Sequence, residues 1–296
     1  MPSHPVRLFR SLRTRGPLQT WRLVADKARR VDALNPWFLD PRRIATRRFV
    51  HRHLQPFDRK LTSFGNYWLD PKPLGEDAVV YSCGVGSQID FDLAVAARVG
   101  CQVHLFDPTP RSIAFMKRFA DHQMLHFTPV GVWTANGDAS FHFDAVAGRT
   151  QDVGNASITN LFDRPETFTA PVKTLRTLMQ ERGHTQLDVL KMDIEGAALD
   201  VLEQALADGI WPGQLVLELE RPRRWKSIRT YFARVRELLE RLAAEGYEVV
   251  RTPRDHGPYR SIELLARRRT PAPRSDAAAA TATRAEAAVD IAAGAV

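Results

Sequence analysis

Between about residue 75 and residue 269, short apolar runs alternate with stretches whose apolar residues recur at helical spacing. This alternation favours a parallel β-sheet with helices on both faces, because parallel strands are joined by crossover connections that are usually helical. In such a sheet, ligands bind beyond the carboxyl ends of the strands, where the strand order reverses. The loops that follow the strands are therefore where a functional site is expected.

The apolar runs predict strands, and the periodic stretches between them predict helices. The predicted strands are Ala78–Cys83, Gln102–Phe106, Leu125–Val130, Leu187–Met192, Gln214–Leu219 and an antiparallel closing pair, Tyr247–Arg251 and Ser261–Ala266. The predicted helices are Gln88–Val99, Pro110–Asp121, part of Val172–Glu181, Ala197–Leu206 and Ile228–Ala244. One further short strand, Ser140–Phe143, is predicted within an insertion that runs to about Ala170.

Positive charge is concentrated at the amino-terminal end of the chain. Residues 1–60 contain 15 Lys and Arg against 4 Asp and Glu, whereas the whole chain has 42 against 34. Proline breaks predict a basic arm of short helices over residues 1–74, followed by an α/β domain over 75–269. The Ala-rich segment 270–296 has few large apolar residues, so a disordered tail is expected. The arm can contact anionic surfaces weakly, or it can simply be a solvated flank.

Several classes of protein are excluded by composition. The apolar fraction is 44% and the charged fraction 26%, which are ordinary for a globular chain. Because no apolar run reaches the length of a membrane span, no transmembrane segment is expected. The amino-terminal residues show no pattern of a secretory signal, and two cysteines cannot form a disulfide framework. A cytoplasmic location is therefore expected.

The loop after the first predicted strand contains Gly84 and Gly86. Glycines at these positions allow a sharp turn and a close approach of the backbone to a ligand. The alternative is a tight strand-to-helix turn that binds nothing. A dinucleotide-binding fingerprint would need a third glycine where this chain has Ile89, which argues against a nicotinamide cofactor.

A carboxylate follows the second predicted strand, at Asp107, 21 residues after Gly86. An acid at this position can accept hydrogen bonds from both ribose hydroxyls of an adenosine. Pro108 restricts the backbone of Asp107 to an extended conformation. The alternative is that Asp107 serves only the turn to which it belongs.

Two more acids, Asp193 and Glu195, follow the strand that ends at Met192. Because residues alternate along an extended chain, both carboxylates can point to one side. One can position or deprotonate an acceptor while the other orients the cofactor or a loop. The alternative is that both accept hydrogen bonds from backbone amides of neighbouring loops. No further metal ligands are evident, so no metal site is predicted.

Three segments together resemble the FkbM family of class I S-adenosylmethionine-dependent methyltransferases, namely Val80–Gly86, Phe106–Pro110 and Leu190–Gly196. The resemblance covers about residues 75–266. It implies a Rossmann-like methyltransferase fold, with a seven-stranded, mostly parallel sheet, helices on both faces and a reversed last strand. It also implies S-adenosylmethionine as the cofactor and O-methylation of a hydroxyl on a sugar or other small molecule.

Site residues follow from the same resemblance. It places Asp193 and Glu195 at the methyl-transfer site as catalytic residues. The cofactor-binding residues that it implies are Ser82, Gly84, Gly86, Asp107 and Pro108.

This chain departs from the family pattern at two positions. Family members often have an acid where this chain has Ser82, which puts the contact to the methionine end of the cofactor in question. They also often have an acid after the alanine that follows the glycine, where this chain has Ala198.

Other functions remain open at this point. One is a methyltransferase that acts on RNA or protein and uses the basic arm, although enzymes of that kind often carry an Asn/Asp-Pro-Pro-aromatic turn where this chain has Asp193-Ile194-Glu195-Gly196. Another is a non-catalytic cofactor-binding module, which the departure at Ser82 suggests. The acceptor expected from the resemblance is a small molecule or a glycan, and the insertion 131–170 is expected to shape its pocket.

Overall fold

A computed structural model describes residues 41–143, 156–160, 163–222, 225–253 and 261–269. The strands in these ranges are β1 (Thr62–Phe64), β2 (Tyr67–Leu69), β3 (Val80–Cys83), β4 (Val103–Phe106), β5 (Leu125–Thr128), β6 (Gly131–Val132), β7 (Gly137–Phe143), β8 (Glu166–Lys173), β9 (Val189–Met192), β10 (Gln214–Glu220), β11 (Tyr247–Arg251) and β12 (Ser261–Arg268). The α-helices are α1 (Pro41–His53), α2 (Asp90–Val99), α3 (Pro110–Met116), α4 (Leu175–Glu181), α5 (Ala198–Ala207) and α6 (Trp225–Ala244).

Seven of the described strands form the main sheet, in the order β11-β12-β10-β9-β3-β4-β5. All neighbouring strands are parallel except β12, which is antiparallel to both β10 and β11. The strand order reverses between β3 and β9, because the chain proceeds from β3 outward in one direction and from β9 in the other. This arrangement confirms the predicted α/β fold with a reversed last strand.

Two apolar cores cover the two faces of the sheet. Along β3, Val80 packs with Phe91 and Val95 of α2 on one face, while Tyr81 packs on the other face. That second face is covered by α4, α5 and α6, whose buried side chains include Leu178, Leu202 and Leu238. Successive strand residues enter opposite cores because side chains alternate along a strand, and this explains why the strand sequences are apolar at nearly every position.

The boundaries differ from the prediction in a few places. The helix predicted to reach Asp121 ends at Met116 and continues only as a 3-10 turn, Lys117–Phe119. The strand predicted at Ser140–Phe143 is the end of the longer β7, which pairs with β8. Strand β8 was not predicted, and with β6 it completes a three-stranded sheet in the described part of the insertion.

The described residues before position 75 pack against the main sheet. They form α1 and a hairpin, β1–β2, whose Phe64 and Leu69 are buried in the core beside α2. The hairpin was not predicted, although Gly65-Asn66 at its turn is a typical two-residue hairpin loop. Residues 1–40 and the tail 270–296 lie outside the described residues, and the domain boundary near residue 74 stays a prediction.

Arg267 of β12 anchors this segment to the sheet. Its guanidinium donates to Asp58 at 2.6 Å and to Asp70 at 3.0 Å, on the segment that precedes β3. It also bonds Glu248 of β11 at 2.9 Å. The Arg267 side chain is only 16% exposed, so its ion pairs are weakly screened compared with pairs on the open surface.

We expect Arg267→Met to lower the free energy of unfolding by about 1–3 kcal/mol, because it leaves partly buried carboxylates without their partner. Urea denaturation of the full chain measures this change. Arg236→Met is the matched control, since Arg236 makes an exposed pair with Glu240 at 3.8 Å, worth at most about 0.5 kcal/mol. Equal effects of the two substitutions would contradict the anchoring role.

Candidate active site

A cavity of about 350 Å³ lies at the carboxyl ends of β3, β4 and β9. This is where the strand order reverses, so the cavity occupies the position expected for a ligand. Its volume lies within the range of about 300–1,000 Å³ that is usual for small-molecule sites. Its walls include the residues Gly84, Val85, Gly86, Asp107, Pro108, Lys191, Asp193, Glu195, Glu218 and Glu220.

The glycine loop is held against the loop that follows β9. Gly84 has φ 87°, and a Cβ at this position would lie 1.7 Å from the carbonyl oxygen of Asp193. The Asp193 N–H in turn donates to the carbonyl of Cys83 at 3.0 Å. Only glycine therefore permits this approach of the two loops. Gly86, with φ 57°, has nothing within 4 Å of an added Cβ, so it lines open space.

Asp107 joins the loops after β3 and β4. Its Oδ2 accepts from the backbone N–H groups of Val85 at 2.9 Å and Gly86 at 3.0 Å. Its Oδ1 accepts from the N–H and the hydroxyl of Thr109 at 2.8 and 2.6 Å. These four bonds occupy the acceptor capacity of the carboxylate. Asp107 therefore stabilises the turn to which it belongs. Its role as a ribose ligand stays a prediction, because a ribose hydroxyl would have to share or displace one of these four hydrogen bonds.

Ser82 is not brought to the cavity. It is fully buried on β3, and the cavity wall contains Asp92 instead, from the first turn of α2. Burial raises the pKa of Asp92, and the charge of Lys191 and the Ser82 hydroxyl oppose this shift. Sequence reasoning missed Asp92, although its helical spacing from Val95 and Ala96 places an acid on the buried face of α2.

Lys191 is a second residue that the sequence reasoning missed. It lies within β9 and is 4% exposed, although its neighbours in the chain, Leu190 and Met192, are core residues. Its Nζ donates to the carbonyl of Gly84 at 2.6 Å. The ammonium also lies 5.3 Å from the ring centroid of Tyr67, close enough for a cation–π contact. A lysine inside an apolar strand was the available signal, because such residues are rarely buried without a partner.

Asp193 and Glu195 both line the cavity, as predicted. Asp193 Oδ2 accepts a hydrogen bond of 2.8 Å from the hydroxyl of Tyr67, which comes from β2. Burial and then the charge of Asp193 raise the pKa of Tyr67 well above its ordinary value. Tyr67 is therefore protonated at neutral pH and donates its hydroxyl hydrogen to Asp193.

Glu195 has an unusual environment for a carboxyl group. Burial raises its pKa to about 7, the negative charge of Asp193 adds to the shift, and the guanidinium of Arg164, 3.7 Å away, opposes it. The backbone of Glu195 is left-handed, with φ 49°. The Ser157 hydroxyl donates to the Glu195 carbonyl at 2.6 Å and ties this turn to the insertion. Glu195 is thus a carboxyl that exchanges a proton near neutral pH.

Two acids from the end of β10 complete this side of the cavity. Glu218 accepts from the hydroxyl of Ser261 at 2.6 Å. Glu220 accepts from the backbone N–H of Gly196 at 2.7 Å, and burial raises its pKa well above the ordinary value. Within the described ranges, no group of three or more His, Cys, Asp or Glu side chains is arranged to hold a metal ion.

Similar proteins were found by sequence. The family model of the methyltransferase FkbM domain matches residues 77–249, more than half of the chain. The protein called "Probable methyltransferase-like protein 24" from Homo sapiens is 29% identical over 143 residues, which are 47% of this chain and 32% of that protein. Its counterpart from Rattus norvegicus is 28% identical over 144 residues. The match spans about a third of the length of these curated relatives.

Solved structures of low sequence identity are also similar to this chain over part of its length. An rRNA methylase from Streptococcus thermophilus is 10% identical, covers 67% of this chain and 91% of its own, and has a TM-score of 0.36. A methyltransferase from Pyrococcus furiosus is 14% identical, covers 76% and 95% of the two chains, and has a TM-score of 0.33. The motifs, the strand order and the family match over residues 77–249 agree, and the chain belongs to the FkbM methyltransferase domain family.

Proposed function

We propose that this protein is an S-adenosylmethionine-dependent methyltransferase that methylates a hydroxyl group of a sugar or another small molecule. The observation that carries the proposal is that one cavity brings the glycine loop and Asp107 together with Glu195, a carboxyl whose pKa is raised to about 7. A nucleoside-binding wall and a proton acceptor that is active near neutral pH are what this reaction requires.

The residues of the cavity fit the cofactor. The Gly84–Gly86 loop allows a close approach of the backbone, and the open space beside Gly86 leaves room for the ligand. Asp107 and Pro108 line the wall at the end of β4, where the ribose would lie. Asp92 adds a buried carboxyl oxygen, Oδ1, that has no hydrogen-bond partner among the described residues, and this suits a ligand that carries a positive charge.

When bound, S-adenosylmethionine supplies an electrophilic methyl group on a sulfonium. The walls of the cavity would hold the acceptor oxygen in line with it, and alignment of this kind can contribute about 7–11 kcal/mol. Glu195 would accept the proton that the acceptor hydroxyl loses, a contribution of about 10²–10⁴-fold. Asp193, held by Tyr67, would orient the acceptor hydroxyl from the neighbouring position.

The acceptor class is supported by a second cavity of about 520 Å³ on the far side of Glu220, which lines both cavities. Its wall is rich in groups that bind hydroxyls, among them Thr159, Asn160, Ser227 and Tyr231. Phe141 and Ile158 of the insertion line the first cavity, which supports the proposal that the insertion shapes the acceptor pocket.

The location and the partners of the protein are also proposals. No helix in the described ranges combines the length and the apolar character that a membrane crossing requires. Cys83 and Cys101 are free and buried, which supports a reducing, cytoplasmic location. A weak contact of the basic arm with anionic surfaces rests on its charge alone, and most of the arm lies outside the described residues.

The function is tested with the full chain in two steps. Calorimetry should show binding of S-adenosylmethionine and of its demethylated product. Incubation with a small-molecule and glycan extract should then yield species heavier by one CH₂ group in mass spectra, with release of the demethylated product. Binding without any methylated species would support a non-catalytic module, and methylated RNA or protein in place of small molecules would overturn the acceptor class.

Glu195→Gln should abolish a carboxyl titration near pH 7 in spectra of protein labelled with ¹³C at the glutamate carboxyls. The sign of its effect on stability follows from the raised pKa. Between its ordinary value of 4.5 and about 7, the folded protein binds more protons than the unfolded chain, so stability falls as the pH rises. The variant has no carboxyl group at this position, so its free energy of unfolding does not fall in this way. Above about pH 7 it should therefore exceed that of wild type by up to about 3 kcal/mol.

The control for this prediction is Glu237→Gln, which changes an exposed acid on α6, away from the cavity. It should leave unchanged both the carboxyl titration near pH 7 and the dependence of the free energy of unfolding on pH. A titration near pH 7 that persists in the Glu195 variant would remove Glu195 as the proton acceptor.

Tyr67→Phe should lower kcat by about 10- to 100-fold, because the loss of a hydrogen bond to a carboxylate costs about 1.5–3 kcal/mol. The affinity for the cofactor should stay the same. Tyr67 acts here as a positioning residue. A fall in kcat with an unchanged KM would distinguish this role from a structural one. Tyr81→Phe is the control, since the Tyr81 hydroxyl bonds Leu178 and His184 outside the cavity wall. It should lower stability and leave kcat unchanged, and an equal loss of kcat in both variants would contradict the proposal.

A further inference from the structure

Two oppositely charged side chains are buried in the cavity wall without being paired to each other. Asp92 of α2 is 2% exposed and Lys191 of β9 is 4% exposed, and both line the cavity. The charge of Lys191 acts on Asp92, yet no ion pair joins these two described residues. Lys191 bonds the Gly84 carbonyl, whereas Oδ1 of Asp92 accepts no hydrogen bond from any described residue.

A buried carboxyl oxygen without a donor is costly, and most such groups in folded proteins have a partner. The cost is reflected in the pKa of Asp92, which burial raises. Because the orphan oxygen belongs to a side chain of the cavity wall, a ligand that supplies a donor would relieve this cost. A positively charged donor would relieve most of it, since charge-assisted hydrogen bonds are the strong ones.

The position of Asp92 relative to Ser82 indicates what this donor is. The family resemblance leads us to expect an acid at position 82, towards the methionine end of the cofactor, where this chain has a serine. By strand alternation, Ser82 shares with Val80 the face of β3 that α2 covers, and its hydroxyl lowers the pKa of Asp92, so the two side chains lie close together. The acid that is missing from the end of β3 is therefore replaced in space by one from the first turn of α2.

Packing fixes Asp92 at this place. The turn of the β1–β2 hairpin lies against the start of α2, where a Cβ on Gly65 would be only 2.6 Å from the backbone nitrogen of Phe91. Phe91 itself is buried and packs edge-on against Tyr67. The first turn of α2 is thus held between the hairpin and the sheet, and the Asp92 carboxyl is preorganised rather than free to swing out.

We propose that Asp92 binds the α-ammonium group of the cofactor's methionine moiety and that Lys191 binds its α-carboxylate. The inference rests on the proposed function and deepens it, because it assigns the amino-acid end of the cofactor to two residues that have no role in the sequence analysis. A zwitterionic α-amino acid presents both charges on one carbon, and the wall presents one partner for each. The Lys191 ammonium has three N–H donors, of which the Gly84 carbonyl takes one.

Two ligands separate this contact from the rest of the site. S-adenosylhomocysteine carries the amino-acid end, whereas methylthioadenosine has the same adenosine and sulfur but lacks it. Calorimetry on the full chain should show that Asp92→Asn lowers the affinity for S-adenosylhomocysteine by roughly 30-fold or more, as expected when one partner of a buried charge pair is removed. The same variant should bind methylthioadenosine with unchanged affinity.

The matched control is Asp90→Asn, in the same turn of α2. Asp90 is exposed and accepts from the Gln88 side chain at 3.1 Å. This substitution should leave the affinity for both ligands unchanged. Lys191→Met, like Asp92→Asn, should lower the affinity for S-adenosylhomocysteine more than the affinity for methylthioadenosine.

Thermal unfolding without ligand excludes a merely structural role. Because Oδ1 of Asp92 is buried without a hydrogen-bond donor among the described residues, the free Asp92→Asn protein should be at least as stable as wild type. A variant that fails to fold, or that weakens both ligands equally, overturns the assignment. If wild type binds neither ligand, the proposed function itself is wrong. If wild type binds both ligands tightly and the variant shows no selective loss of affinity, only this inference is wrong.

Discussion

The contact on which the site depends is the close approach of the loops after β3 and β9. Gly84 leaves no room for a Cβ beside the Asp193 carbonyl, and Lys191 closes the contact by donating to the Gly84 carbonyl at 2.6 Å. Because these loops lie where the strand order reverses, their contact forms one continuous wall of the cavity. The glycine turn, the lysine and the catalytic candidates at the end of β9 therefore share one rigid frame.

That frame holds its acids at a cost to stability. Burial raises the pKa of Asp92, Glu195 and Glu220, so each of these carboxyl groups is less easily ionised than in water. Such shifts are typical of functional sites, where geometry is maintained by the packing around it. Here that packing is provided by the two apolar cores on either face of the sheet. The wall can therefore hold several carboxyl groups close together, because their raised pKa values limit the negative charge that they carry.

Much of this architecture could be predicted from the sequence because it follows from local patterns. Alternating runs identified the strands of the main sheet, and the ends of these strands identified Gly84, Asp107 and Asp193. The strand order is not a local property and was not predicted, and the number of strands and the reversed last strand came from the family resemblance. Asp92 and Lys191 were missed because their neighbours in sequence are apolar, so neither residue stands out from the pattern of a buried helix or strand.

The β1–β2 hairpin has a consequence for how the protein is divided. The family match begins at residue 77, yet Tyr67 contacts Asp193, and the hairpin turn presses on the start of α2. A fragment trimmed to the matched segment would retain every motif but would lack the part of the cavity wall that the hairpin supplies. The part of the chain that encloses the cavity is therefore larger than the matched segment, and tertiary contacts set its limits.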